Sequence, residues 1–566
     1  MLAKLPNRDQ IRKAQTLTFG GINRNPAAGD GTVQSTVNMD TDRMPLLAPR
    51  KPRKKLALMP GAQTFGMTVV NGDIFWTAKD GDAVKLYRNG TAIRTGLEEN
   101  QKSFAVLGNY LIIFPDRKML NLAEIDTRMI FSDDEYMDAA AENVSVIFKD
   151  GTIYGEDAER NTIELKGSHN WADYRFREGD AVQIVSESNN KTIIIREMNG
   201  KELRFDEFSF VNTPEPETTQ NHDNDAEPEP ESISVRRYVP DMDHVFEHES
   251  RLWGWKGKTL YASKLGDPLN FNVFDGLSTD SWSLDVKGPG EITGGVSYLG
   301  YPMFFKEDCV YRIYGDRPAQ YQLMQMGTLG VRRGAARTLA IAGEHLYYLS
   351  NQGVTRFTGG YPQNIHTPFG ETRFTEGFAC SDGLKYYLCA KAESWGVYVY
   401  DTKWDAWMQY AEGECKALAA DQRLYGLGYV GNEWCLWSDG KEDKPDWAVH
   451  PPLEDEAQVA SKVVFNPFTG ANWQNGRNTG QPNRKGTSKL QLRLTLAQGT
   501  EMTVSMRFDG GPWEEKAKLS APNHMHSFYL PIIPRRSDNY QIEIVAYGDW
   551  TLHSLVREEY TGSALH

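Results

Sequence analysis

From about Gln63 to about Asp439 apolar and polar residues alternate with a period of two. They do so in short runs rich in aromatic and β-branched side chains, separated by Gly, Asn and Asp. Such runs predict strands, and helical periodicity is nearly absent. The pattern recurs: "MTVVNGDIFWTA" with "AVKLYRNG", "FAVLGNYLIIF" with "KMLNL", and "HVFEHESRLWGWKGKTLYAS". It continues in "GGVSYLGYPMFFKEDCVYRIYG", "RTLAIAGEHLYYLSNQGVTRFTGG", "GFACSDGLKYYLCA" with "WGVYVYDTKWDAWMQY", and "ALAADQRLYGLGYVGNEWCLW". Each unit is two hairpins long, with tight turns such as Asn71-Gly72, Gly108-Asn109 and Gly343-Glu344. A repeat of roughly 40 residues is the length of one four-stranded blade, so about seven units predict a β-propeller. The repeat is degenerate enough to accommodate six or eight blades as well.

Residues 131–238 interrupt the repeat with "VSVIFKDGTIYG", "TIELKG", "YRFREGDAVQIVSE" and "KTIIIREMNGKELRF". This segment predicts an inserted β-barrel of about five strands. Its return path, "VNTPEPETTQNHDNDAEPEPES", has almost no apolar residues and predicts an exposed loop. After a polar linker over 454–486, alternation resumes with Leu490, Leu492, Leu494 and Leu496, then Tyr540, Ile542 and Ile544. That alternation predicts an antiparallel β-sandwich over 487–566. The expected order is thus an N-terminal arm (1–61), the propeller's first part (62–130), the barrel (131–238), the propeller's second part (239–453), the linker and the sandwich.

Charge and cysteine content narrow the chemistry. A net charge of -14 argues against a protein that grips phosphate backbones, which needs surplus Lys and Arg. The exception is a basic run in the arm, Arg43, Arg50, Lys51, Arg53, Lys54 and Lys55, read either as a solvated face or as a dock for an acidic surface of a neighbouring subunit. The five cysteines are odd in number and show no C-x-x-C pair, which excludes a disulfide scaffold and a zinc module. No run has the roughly 18 apolar residues of a membrane helix, and the first residues lack a signal-peptide core, so the chain reads as soluble and unexported.

No motif supplies a catalytic or cofactor site. "GWKGKT" (254–259) has glycines at the wrong spacing for a phosphate loop and continues as a strand, which offers no helix N-terminal amides. His244 and His248, flanked by Asp241, Asp243 and Glu247, share one strand face but lie about 13 Å apart, too far to chelate one ion. His222, Asp223 and Asp225 in the acidic loop are read as solvated rather than cation-binding. Trp395, Trp404, Trp407, Trp434 and Trp437 admit sugar stacking, although blade cores normally consume such rings. Only fragments such as "SDGLKYY" and "SNQGVTRF" approach the turns of sialidase blades. No cofactor, metal or catalytic residue is expected, and the chain reads as non-enzymatic.

Three segments carry a family resemblance: "GGINRNPAAGDGTVQSTVNMDTDRMPLLAPRKPR", "LSTDSWSLDVKGPGEITGGVSYLGYPMFFKEDCVYRIYG" and "LPIIPRRSDNYQIEIVAYGDWTLHSLVREE". They resemble phage structural proteins, in particular the tail hub or nozzle proteins of short-tailed phages, also described as packaged-DNA stabilisation proteins. The resemblance implies a homo-oligomeric ring, typically of six copies, in a virion tail assembled in the host cytoplasm. It also implies portal, adaptor and distal tail partners, with DNA passing through without sequence-specific contact. An acidic lumen suits such sliding. The expected function is that structural role; a receptor- or glycan-binding module and a two-carboxylate glycan hydrolase are the alternatives.

Overall fold

In the computed structural model the residues described are 11–25, 28–151, 160–206, 210–211, 230–413, 415–449, 452–469, 473–474, 477–478, 485–520 and 524–561. They are almost wholly β, with single 3-10 turns such as Asp133–Glu135 and Trp171–Tyr174. The fold is the expected β-propeller with an inserted barrel and a sandwich. The chain divides into two compact units. One comprises Met1–Ala78, Arg88–Thr91 and Val331–His566, the other Lys79–Tyr87 and Ala92–Gly330.

Among the described residues seven sheets have the blade pattern of antiparallel strands, consecutive in sequence except for the last strand of the seventh. They start at Thr64, Ser103, His244, Gly294, Ala340, Glu376 and Cys415, and the second has only three strands. The second strand of each blade is the most buried, matched in the sixth blade by the third. Tyr110–Phe114, Arg251–Lys256, His345–Ser350 and Lys385–Lys391 are buried along nearly their whole length. A strand covered on both faces needs a continuous apolar run rather than alternation, which is why "YLIIF", "HLYYLS" and "KYYLCA" lack a polar face. The first strands keep half-exposed positions, as Thr64–Val70 does throughout.

The last blade is completed by a strand from the chain's beginning. Lys54–Leu58 pairs antiparallel with Glu433–Ser438, with a register shift between Leu436 and Trp437. Leu56 and Ala57 are buried there. The arm, whose basic run was read as a solvated face or a dock for a neighbouring subunit, is thus built into its own chain. Ile11–Thr16 pairs with Trp550–Thr561, and Val33–Val37 pairs with Ala460–Phe465. These contacts place one arm strand at the edge of each sandwich sheet. Ala460–Phe465 itself falls in the stretch read as a linker, so the sandwich begins earlier than 487. Between its two sandwich strands the arm lies on the sixth blade. The Ile22 N–H donates to the Trp407 carbonyl oxygen at 2.7 Å, and a Cβ on Gly21 would meet that oxygen at 2.4 Å.

In the second unit the insert is a single seven-stranded sheet rather than five strands. Its edge strands are Lys191–Ile194 and Glu197–Asn199. Only two residues separate these edges in sequence, so the sheet must curl until its ends nearly meet. The curl encloses a core of Val146, Phe148, Ile163, Trp171, Ile184 and Phe205.

Because Leu56 is wholly buried in the closing strand, Leu56→Ala is expected to cost about 2–5 kcal/mol. Chemical denaturation of the full chain, followed by tryptophan fluorescence, checks this. A loss below about 0.5 kcal/mol would contradict a strand sealed into the core.

Candidate functional site

Five of the six cations of the basic run pair with acids of the same chain, and the sixth, Arg53, packs on an aromatic ring. Arg50 is buried and bidentate to Glu456, at 2.6 and 2.8 Å. Arg53 is buried with its guanidinium 4.0 Å from the Trp437 ring; burial and then Arg50 beside it lower its pKa to about 10. Lys55 meets Glu433 at 2.7 Å and Lys54 meets Asp443 at 3.0 Å. Arg43 lies 2.8 Å and Lys51 3.6 Å from Asp549. Strand pairing, rather than an external acidic surface, places Lys54 and Lys55 where these partners can reach them.

A second charged cluster fastens the arm to the sixth and seventh blades. The Lys385 ammonium lies 2.9 Å from Asp40 and 2.5 Å from Asp42, and Lys441 lies 3.0 Å from Asp42. Burial alone would raise the Asp40 pKa, but the attraction of Lys385 and Lys441 outweighs it and brings the carboxyl down to about 2. Burial raises the Asp439 pKa against the pull of Lys441. The amines fill the space among three carboxylates, and among the described residues no group of His, Cys, Asp and Glu is arranged to hold a metal ion.

The other sequence candidates resolve similarly. "GWKGKT" is a hairpin, with strands Arg251–Lys256 and Thr259–Ala262. His244 and His248 lie on one strand, His244 stacked on Trp255 at 5.2 Å and His248 buried. Trp407 and Trp437 are core residues, whereas Trp404 is 39% exposed. All five cysteines are free. His222, Asp223 and Asp225 lie outside the described residues.

What sequence reasoning missed is a groove of about 700 Å³ in the second unit. One wall is the loop between the third and fourth strands of the third blade, residues 263–281. Arg251 shapes this loop by donating to the carbonyl oxygens of Ser263, Ser278 and Asp280 at 2.7, 2.7 and 2.5 Å. The Asp280 carboxylate accepts the N–H groups of Gly276 and Leu277 at 2.6 and 3.0 Å, tightening the tip. The loop is pinned to the barrel where the Ala181 N–H donates to the Asn270 side-chain oxygen at 2.8 Å. Held this way, Phe274 is 62% and Leu277 59% exposed, well beyond what a core role would leave.

The opposite wall is the barrel edge, with Thr192, Ile194, Arg196 and Asp206. Asp206 accepts from Arg196 at 2.9 Å and from Arg160 at 3.1 Å. Asp275 and Asn272 complete the polar lining, and the Asn272 side-chain oxygen is buried without a hydrogen-bond partner. An exposed ring and an aliphatic side chain facing carboxylates, a guanidinium and an amide make a surface that is apolar in the middle and polar at fixed points. Only scattered signals marked it in the sequence: the apolar Phe274 and Leu277 sit in a loop rich in Asp, Asn and Gly, and the barrel wall comes from residues some 70 positions earlier.

No protein-family model matches the chain, and no curated protein matches it. Solved structures do. An exo-β-1,3-galactanase from Phanerochaete chrysosporium with galactose matches at 11% identity and TM-score 0.20, over 55% of this chain and 94% of that one. Trypanosoma rangeli sialidase in complex with sialic acid matches at 10% identity and TM-score 0.22, over 94% and 95%. At this level the likeness concerns propeller architecture alone. The neighbours found are glycoside hydrolases and not virion components; the expectations of a tail-hub ring and of a non-enzymatic chain are corrected and not carried further.

The buried Lys385 cluster gives a direct test. Lys385→Met leaves Asp40 buried without its main counter-ion and is expected to cost about 3–5 kcal/mol. The Asp40 pKa is depressed in the folded state, so its contribution is full above about pH 4 and is lost as pH falls through about 2. Unfolding free energy measured between pH 5 and pH 2 is therefore expected to fall less steeply in Asp40→Asn than in the parent; equal slopes would contradict the assignment.

Proposed function

We propose that this protein recognises carbohydrate and that the groove between the inserted barrel and the 263–281 loop is its contact surface. The observation that carries the reading is the pairing of an exposed, loop-anchored Phe274 with fixed polar groups across about 700 Å³. The C–H face of a sugar ring packs against an aromatic face, while its hydroxyls need donors and acceptors at defined positions. Asp206 retains acceptor capacity beyond its two arginines. Hydrophobic contact alone would not discriminate among sugars, whereas unpaired polar groups penalise any ligand that fails to satisfy them. The galactanase and sialidase neighbours belong to the same chemical class of ligand, a coincidence of class to which the likeness itself adds no argument.

The test is a glycan array probed with the full chain, followed by calorimetry on the best ligand. Phe274→Ala is expected to weaken binding by about two- to tenfold, the range that corresponds to the 0.5–1.5 kcal/mol of aromatic packing. Leu17→Ala, an exposed apolar residue outside the groove, serves as control and should leave affinity unchanged. Binding that persists undiminished in both Phe274→Ala and Arg196→Ala would rule the groove out. Reducing-sugar release measured on the same ligand tells whether Asp206 and Asp275, the two carboxylates of the lining, also cleave it.

A further inference from the structure

A different arrangement lies where the inner strands of the third and fourth blades run side by side, His244–His248 and Gly294–Tyr298. The His248 Nδ1 is 2.8 Å from the Ser297 Oγ. The other ring nitrogen, Nε2, is 3.9 Å from a carboxylate oxygen of Glu249. The geometry points to a nucleophilic serine, Ser297, activated by His248 as general base with Glu249 as the orienting carboxylate, acting on small acyl esters.

Several independent features support this assignment. Serine, imidazole and carboxylate stand in the order needed to draw the hydroxyl proton away, and the serine–imidazole distance is already within proton-transfer reach. For Nδ1 to accept from Ser297, the ring proton must sit on Nε2, the side on which the Glu249 carboxylate lies at 3.9 Å, within electrostatic reach but beyond hydrogen-bond length. Burial, against the opposing pull of Glu249 and Glu247, holds the imidazole below its ordinary pKa, so it is neutral and able to accept a proton at pH 7. His248 is buried while Ser297 is only half-buried, so the nucleophile can be approached and the base is screened from bulk water.

The backbone also departs from local preference here. The turn joining the third blade's first two strands is Glu249-Ser250, with φ of 47° and 59°. Two-residue hairpin turns with both residues at positive φ select Asn and Gly. Five of the other six blades place a glycine at positive φ in the equivalent turn: Gly72, Gly108, Gly300, Gly343 and Gly383. Keeping Glu and Ser in left-handed backbone has an energetic cost, and the turn brings the Glu249 carboxylate to 3.9 Å from the His248 ring.

In the proposed reaction Ser297 Oγ attacks the ester carbonyl carbon as its proton passes to His248 Nδ1. The carbon–oxygen bond to the alcohol breaks, and the imidazolium returns the proton to the departing oxygen. Water then attacks the acyl-serine, His248 takes a proton from it, and the carboxylic acid leaves as Ser297 regains its hydrogen. No oxidant, reductant or metal is needed. The assignment stands apart from the carbohydrate reading, because none of these three residues lines the groove.

The experiment treats the full chain with a fluorophosphonate, which phosphonylates activated serines, and maps the adduct by tandem mass spectrometry. p-Nitrophenyl acetate hydrolysis is followed in parallel. The expected result is an adduct on Ser297, absent in Ser297→Ala. The labelling rate should fall at least about tenfold in His248→Gln, and esterase activity should fall in step. Near-ultraviolet circular dichroism verifies that each variant is folded. No adduct on Ser297 in the folded parent protein would overturn the proposal. So would equal labelling rates in the parent and a folded His248→Gln, because a merely structural hydrogen bond would not set the serine's reactivity.

Discussion

The strand pairing between Lys54–Leu58 and Glu433–Ser438 is the interaction on which the first unit depends. A propeller blade left one strand short would expose a row of backbone donors and acceptors, as any sheet edge does. Here the missing strand comes from far earlier in the sequence, so the last blade forms only when two distant segments of the chain are brought together. Closure of so long a loop costs conformational entropy, and buried side chains offset it: Leu56 and Ala57 in the strand, and Arg53 packed over Trp437.

The same constraint accounts for the rest of the arm. Once residues 54–58 are fixed, the preceding segment must cross from the last blade to the sandwich, and it does so through ion pairs, some of them buried. Asp40 and Asp42 meet Lys385 and Lys441, and Arg50 grips Glu456. Such pairs add little net stability relative to well-packed apolar residues, yet each is costly to leave half-made, which fixes one path for the chain. The arm then supplies an edge strand to each sandwich sheet, so arm, last blade and sandwich share one folding unit although they lie hundreds of residues apart.

The second unit is organised differently. Its barrel curls on itself, and Arg251 and Asp280 hold the 263–281 loop by saturating backbone groups at both its base and its tip. A loop fixed by buried side chains can display apolar residues without collapsing onto them, which is how Phe274 and Leu277 come to face solvent. The Ser297–His248 pair exploits another property of the fold. Neighbouring inner strands bring side chains from separate repeats to hydrogen-bond distance, and each repeat on its own looks ordinary.

The sequence by itself determined strand content, the blade repeat, the inserted barrel and the sandwich, because all four are written in local periodicity and turn chemistry. Asn71-Gly72 and the apolar "YLIIF" read correctly because strand and turn preferences act over a few residues. Tertiary structure alone decided what the arm does: whether Arg50 or Lys55 faces solvent depends on Glu456 and Glu433, some 400 residues away. It also decided where chemistry gathers. His248 and Ser297 are 49 residues apart, and the groove joins Arg196 to Phe274. Neither has a spacing signature, because contact between separate strands is set by packing in three dimensions and leaves no period along the chain.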